Sequence, residues 1–309
     1  MPERYELIIV GGGPAGLTAA LYAGRSRMKA IMFEKLVHGG QVATTQIVEN
    51  YPGFAKPVAG PALIEAMVEQ AKSYGCEIAS GEISEVRVEG NDKIVIAGGV
   101  EYRSDALIIA SGANPRTLGI PGETELKGRG VSYCATCDGP LYFGKTVAVI
   151  GGGDSACEEG HFLTKFVKKV YMIHRRDQLR AVKALQELVL NNEKIEILWD
   201  NEPLEVIGEG GVKRLKIRNK KTNEEKELEV DGVFFYVGTI PDTDFIKFEI
   251  EKDAAGFIKT DDGMRTSVPG VFAAGDVCSK ELRQIATAVG DAATAVHMTG
   301  KFLLEKGIS

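Results

Sequence analysis

The chain uses one short device twice. Leu7-Ile8-Ile9-Val10 runs into Gly11-Gly12-Gly13-Pro14-Ala15-Gly16, and Val147-Ala148-Val149-Ile150 runs into Gly151-Gly152-Gly153-Asp154-Ser155-Ala156. Each copy reads as an apolar strand, a glycine-rich turn and the start of a helix. Such glycines allow a tight turn and a close approach of backbone to a pyrophosphate, while the helix start offers free N–H groups and partial positive charge. One copy is a weak signal. Two in matching contexts, each followed by a helical segment and another strand, confine the chain to an α/β fold with two Rossmann-like dinucleotide-binding domains. A length of 309 residues accommodates two such cores.

Segments 17–27 and 157–165 read as helices and lead to apolar strands that end at Glu34 and His174. These two residues lie at the same offset from Gly11 and Gly151, where a dinucleotide fold meets the adenosine ribose. A carboxylate there accepts from a free 2'-hydroxyl and repels a 2'-phosphate. His174-Arg175-Arg176, with Arg180 one turn on, suits a 2'-phosphate through charge-assisted hydrogen bonds. The first site, Gly11, Gly13, Pro14, Ala15 and Gly16 with Glu34, therefore reads as FAD-binding. The second, Gly151, Gly153, Asp154 and Ser155 with the basic cluster, reads as NADPH-binding. A plainer reading of the arginines is a solvated basic segment paired with Asp177.

Just before the second turn stands Cys134-Ala-Thr-Cys137-Asp138. Cysteines at this spacing can close a reducible disulfide, and the adjacent Asp138 can carry protons. Two dinucleotide sites and one dithiol suggest an electron relay. The alternatives are half of a zinc site or two buried cysteines. A structural zinc site wants four ligands, whereas Cys76, Cys157 and Cys278 are scattered singly and no histidine supplies a second clustered pair, so no metal is expected. Glu158 and Glu159 read as early-helix charges favoured by the helix dipole, and the three single cysteines as small packing residues.

Residues 195–235 read as short strands of a β-meander, 271–277 as a strand and glycine turn, and Gln284 to Leu304 as a helix of small residues. The simplest organisation is a split FAD domain, 1–114 and 244–309, interrupted by an inserted NADPH domain, 115–243. A formal charge of −6 and the lack of a basic tract argue against a nucleic-acid partner. No apolar run approaches membrane-spanning length. The strand-like start at Tyr5 leaves no room for a leader. An odd count of five cysteines fits a reducing compartment with one catalytic disulfide. A cytoplasmic enzyme is expected.

Taken together, the linked motifs resemble those of the low-molecular-weight thioredoxin reductases over essentially the whole chain. They are Gly11 to Gly16, Gly39-Gly40-Gln41 with Glu49-Asn50-Tyr51-Pro52-Gly53, Cys134-Ala-Thr-Cys137-Asp138-Gly139, Gly151 to Glu159, His174-Arg-Arg-Asp177 and Val271-Phe-Ala-Ala-Gly275-Asp276-Val277. The resemblance implies a homodimeric flavoenzyme that passes electrons from NADPH through FAD and the disulfide to thioredoxin or a similar small dithiol protein. It implies that Cys137 faces the flavin, that Cys134 attacks the partner disulfide and that Asp138 is the acid and base. It places Gly40, Gln41, Asn50, Gly275, Asp276, Val277, Arg283, Gln284 and Ile285 among the FAD contacts, and Ser155, His174, Arg175, Arg176 and Arg180 among the NADPH contacts. In that family the inserted domain rotates, which places hinges near residues 115 and 243. The chain departs from the family pattern at Ser111, Cys157, Gly160 and Leu179.

Three rivals are weaker. The flavoprotein reductase of a peroxide-reducing system adds an N-terminal thioredoxin-like part, for which a strand beginning at Tyr5 leaves no room. A dithiol oxidase of the same architecture runs the chemistry towards oxygen and has no use for the His174-Arg175-Arg176 cluster. A flavin-binding or zinc-stabilised interaction module without turnover is the remaining alternative.

Overall fold

The computed structural model describes residues 3–35, 38–45 and 47–308. The chain divides into two compact units, Met1–Asn114 with Ile240–Ser309, and Pro115–Thr239. The second crossing comes at 239/240, earlier than the 243/244 expected from sequence. Residues 240–243 rejoin the first unit because Asp242 N donates to Gly112 O at 3.1 Å and Ser111 Oγ donates to Asp242 O at 2.6 Å.

The first unit is built on a sheet whose strands run in the order Glu77–Ser80, Ala30–Glu34, Arg4–Val10, Val100–Ile109, Asp92–Ala97 and Ile83–Glu89. Val271–Ala273 joins as a parallel partner of the last residues of Val100–Ile109. The central strand Arg4–Val10 is apolar on both faces because both are covered. Leu7 and Ile9 pack against the helices Pro14–Arg25 and Ile285–Glu305, whereas Ile8 and Val10 pack against the layer that holds Val86, Val95 and Phe245.

The second unit repeats the plan. Its parallel sheet runs Ile195–Trp199, Lys169–His174, Thr146–Ile150, Gly232–Phe235 and Val131–Ser132. Val147 and Val149 pack on Ala156 and Leu163 of the helix Asp154–Leu163, and Ala148 and Ile150 pack on Val206, Leu215, Ile217 and Leu228 of the antiparallel meander 201–229. In each unit, then, the period-two alternation of one strand sorts its side chains between a helical layer and a β layer. The antiparallel strands Ile83–Glu89, Asp92–Ala97 and Val100–Ile109 turn at Gly90-Asn91 and Gly98-Gly99, a hairpin signature that sequence reasoning passed over, as it did the helices Gly60–Ser73 and Lys183–Leu190.

Both helices start directly at their turns, at Pro14 and Asp154. Gly11 has φ +106° and Gly151 φ +154°, values that side chains rarely adopt. Gly16 has a second constraint, because a Cβ there falls 1.7 Å from Gly11 O. Gly16→Ala is therefore expected to cost about 1–3 kcal/mol through overpacking, read as a lower thermal midpoint. Restored stability in a variant that keeps the alanine would require the turn at Gly11 to reopen.

Candidate active site

Cys134 and Cys137 are joined by a disulfide, with Cα atoms 5.3 Å apart. Cys134 sits at the N-cap of the short helix Ala135–Asp138 and its Sγ accepts from Cys137 N at 3.2 Å. Ser132 Oγ accepts from Cys134 N at 3.1 Å, and Tyr236 Oη accepts from Ala135 N at 2.7 Å. Both sulfurs belong to half-buried residues. Burial pushes the carboxyl of Asp138 above its ordinary range, with the Ser132 hydroxyl pulling the other way. A carboxyl whose pKa is raised by burial takes up a proton more readily than an exposed one, which suits proton exchange with a neighbouring thiolate.

The other three cysteines belong elsewhere. Cys76, Cys157 and Cys278 are unpaired and buried. Burial raises their thiols to about 12, 11 and 12. They are packing residues, not nucleophiles.

Sequence reasoning missed Ser132 and Tyr236 and misread Glu159. Glu158 is exposed as expected of a solvated helix charge, but Glu159 is half-buried and its Oε2 is buried with no hydrogen-bond partner among the described residues. The only signal in the sequence was the position of Glu159, one helical turn after Ser155 on the face that carries Ala156 and Gly160.

Around the first glycine turn, Glu34 Oε2 accepts from Gly12 N at 2.7 Å and Oε1 from Lys35 N at 2.7 Å, which ties the end of the second strand to the turn. Gly13 has ordinary extended dihedrals, and a Cβ built on it meets nothing within 4 Å. Neither backbone geometry nor packing demands glycine at that position, and what it leaves open is room above the helix start, where a phosphate needs it. Gly40 abuts this space, since its own Cβ would fall 3.8 Å from the Gly13 Cα.

Asn50 Nδ2 donates to Gln284 Oε1 at 3.0 Å, Gln284 caps the long helix that opens at Ile285, and Gln41 Nε2 donates to Ala113 O. Asp276 lies in the turn Gly275–Val277. Its Oδ1 is buried without a partner among the described residues, and burial raises its pKa, opposed by Lys280 and Arg283. A buried orphan oxygen calls for a donor from a bound group, so this half of the site fits FAD. Arg283 takes a different place from the one expected of a ligand contact. Its Nε and Nη2 donate to the carbonyls of Asp276 and Cys278 at 3.2 and 3.1 Å, and its guanidinium lies 3.9 Å over the Phe257 ring, so it braces the 275–278 turn.

Around the second turn, His174 is buried, with Nδ1 3.1 Å from Gly151 O and Nε2 2.9 Å from Gln178 O. Burial lowers its pKa, and the two carbonyls oppose that shift. The ring thus lies between the glycine turn and segment 175–180. Asp154 Oδ1 accepts from Val182 N at 2.8 Å, and Arg180 N donates to Gly152 O at 2.7 Å, which draws the same segment onto the turn. A Cβ on Gly153 would meet only the Arg180 guanidinium, at 3.9 Å.

Ser155, Arg175, Arg176 and Arg180 are exposed. Among the described residues no carboxylate forms an ion pair with any of these three guanidiniums, and Asp177 is 3.7 Å from Lys221 instead. The arginines are therefore not committed to a surface ion pair with Asp177. They form a cationic group beside a glycine turn, which fits a phosphorylated ribose.

The family model of the pyridine nucleotide-disulphide oxidoreductases matches residues 5–292. A thioredoxin reductase of Bacillus subtilis (strain 168) is 47% identical over 304 residues, covering 97% of this chain and 95% of that protein. One of Listeria innocua serovar 6a is 48% identical over 304 residues, covering 97% and 94%. Among solved structures, thioredoxin reductase from Streptococcus pyogenes MGAS5005 superposes with a TM-score of 0.93 at 44% identity, covering 99% of this chain and 100% of that one.

Proposed function

The chain belongs to the pyridine nucleotide-disulphide oxidoreductase family, and from that premise we propose that it is an NADPH-dependent, FAD-containing thioredoxin-disulfide reductase. The observation that carries this reading is the disulfide Cys134–Cys137 with the adjacent half-buried carboxyl of Asp138, in a chain that holds two dinucleotide turns of opposite ribose chemistry. In this reading the unit formed by 1–114 and 240–309 holds FAD through Gly11, Gly13, Gly16, Glu34, Gly40, Gln41, Asn50, Asp276, Gln284 and Ile285. The unit 115–239 holds NADPH through Gly151, Gly153, Ser155, Arg175, Arg176 and Arg180.

Bound FAD supplies a couple that accepts a hydride from a nicotinamide and yields two electrons to a disulfide. The protein's own steps concern the dithiol. Two electrons break the Cys134–Cys137 bond. Asp138 delivers a proton to the nascent thiolate pair. Cys134 Sγ, stabilised by the Cys137 amide, attacks one sulfur of the partner disulfide, and Cys137 displaces the reduced partner and restores the intramolecular disulfide. The partner is thioredoxin or a similar small dithiol protein. A homodimer in the cytoplasm completes the reading. Among the described residues no helix is long and apolar enough to cross a membrane.

Anaerobic titration tests the proposal. The purified protein is expected to be yellow, to bleach on addition of NADPH and to regain its colour when oxidised thioredoxin is added. A colour that NADPH leaves unchanged, or bleaching that thioredoxin does not reverse, overturns it.

A further inference from the structure

Asp291 is a half-buried carboxylate that no step of the proposed chemistry uses. It stands on the long helix Ile285–Glu305, one turn after Ala288, and reaches back to the turn Gly275–Val277. Its Oδ2 accepts from Gly275 N at 3.0 Å and also from Lys280 Nζ. One oxygen thus holds both ends of segment 275–280. The side chains of Lys280 and Asp291 are only 16% and 18% exposed, so this is not a solvated surface pair. The other bonds of the segment act on its interior: Arg283 on the carbonyls of Asp276 and Cys278, Ile258 on Val277 O and Ser279 N, and Asp253 on the Ser279 hydroxyl. Among the described residues only Asp291 takes up the Gly275 amide. The place of that peptide matters to the site. Gly275 has φ +81°, and a Cβ on it would fall 2.8 Å from the Ala15 Cβ in the first turn of the helix Pro14–Arg25, so this turn lies directly against the first glycine turn. The next residue is Asp276, whose Oδ1 is buried without a partner among the described residues.

We propose that Asp291, held by Lys280, is a positioning residue of the flavin site: it fixes the Gly275 peptide against Ala15, so that the unpartnered oxygen of Asp276 is in place for a donor of bound FAD. A partly buried ion pair contributes little by itself once the desolvation of both charges is counted. What it does here is hold a strong acceptor in one orientation, aimed at the first amide of the turn. With that amide released, the Gly275 peptide can turn away from Ala15 and carries the Asp276 carboxyl with it. The cost of ordering the turn then falls on FAD binding, whereas in the intact protein folding has already met it. This inference rests on the reading of 1–114 with 240–309 as the unit that holds FAD.

The test dilutes the purified flavoprotein, separates free FAD by ultrafiltration and measures it by fluorescence, with neither NADPH nor thioredoxin present. Asp291→Ala is expected to weaken FAD binding about tenfold or more, the effect of losing one charged hydrogen bond. Asp291→Asn keeps an oxygen for the Gly275 amide and is expected to stay within about threefold of the wild type. Ser279→Ala removes a bond from the same segment without touching Gly275 and is expected to do the same. FAD held by Asp291→Ala as tightly as by the wild type overturns the inference, and so does a loss in Asp291→Asn or Ser279→Ala as large as in Asp291→Ala. Should Asp291→Ala not fold, Lys280→Met, which leaves the carboxylate in place but unclamped, is expected to weaken binding about threefold or more, and an unchanged affinity again overturns the inference. A wild-type protein that binds no FAD in this assay would instead sink the reading on which the inference stands.

Discussion

Cys134→Ser is expected to yield a flavoprotein with a new long-wavelength absorbance, Cys137→Ser one without it, and neither is expected to reduce thioredoxin. The loss of turnover follows from stoichiometry. A single remaining thiol can accept a partner sulfur in a mixed disulfide but has no neighbour to resolve it, and it cannot store two electrons as a closed disulfide. The spectral asymmetry follows from the roles that the resemblance to thioredoxin reductases implies for the two sulfurs. Cys134 occupies the N-cap and receives the Cys137 amide, which suits the sulfur that must attack a partner. The resemblance assigns Cys137 to the flavin side, so its thiolate, freed by removing Cys134, is expected to donate charge to oxidised FAD. Equal spectra for the two variants would reverse or abolish that assignment, and turnover retained in either would remove the disulfide from the mechanism.

Replacing both Arg175 and Arg176 by Ala is expected to raise the KM for NADPH by an order of magnitude or more and to leave the kinetics with NADH little changed. Each guanidinium contact with a 2'-phosphate is a charged hydrogen bond of about 1.5–3 kcal/mol, reduced here because both side chains are exposed and salt screens them. Even so reduced, two contacts supply a factor of ten. The structure sharpens this expectation because no carboxylate among the described residues competes for these arginines and Asp177 lies instead beside Lys221. Raising the ionic strength should weaken the preference of the wild-type enzyme in the same direction. Steady-state kinetics with both coenzymes decide the matter: equal use of both by the wild type, or equal loss of both in the double variant, makes these arginines structural.

His174 and Arg283, both expected among the ligand contacts, have partners within the chain itself. Both stand where a ligand contact was expected, yet the His174 ring is spent on two backbone carbonyls and the Arg283 guanidinium on two others and on Phe257. Offset from a glycine turn identifies the position. Whether a side chain at that position faces a ligand or braces the loop that does depends on which acceptors the folded chain leaves within its reach.

The sequence by itself determined the two strand–turn–helix units, the matching offsets of Glu34 and His174, and the dithiol with its aspartate, because each of these is written in neighbouring residues. A tight turn needs its glycines at particular positions, a strand alternates with period two, and a disulfide of this kind needs cysteines three positions apart. The tertiary structure alone decided that Glu159 turns inward and buries one oxygen, that Tyr236 holds the amide of Ala135, that Asp276 keeps an orphan oxygen among the described residues, and that the chain returns to its first unit at 240. These are facts about burial and about partners far apart along the chain. The cost of desolvating a carboxyl, and the donor that offsets it, exist only once separate elements have packed together.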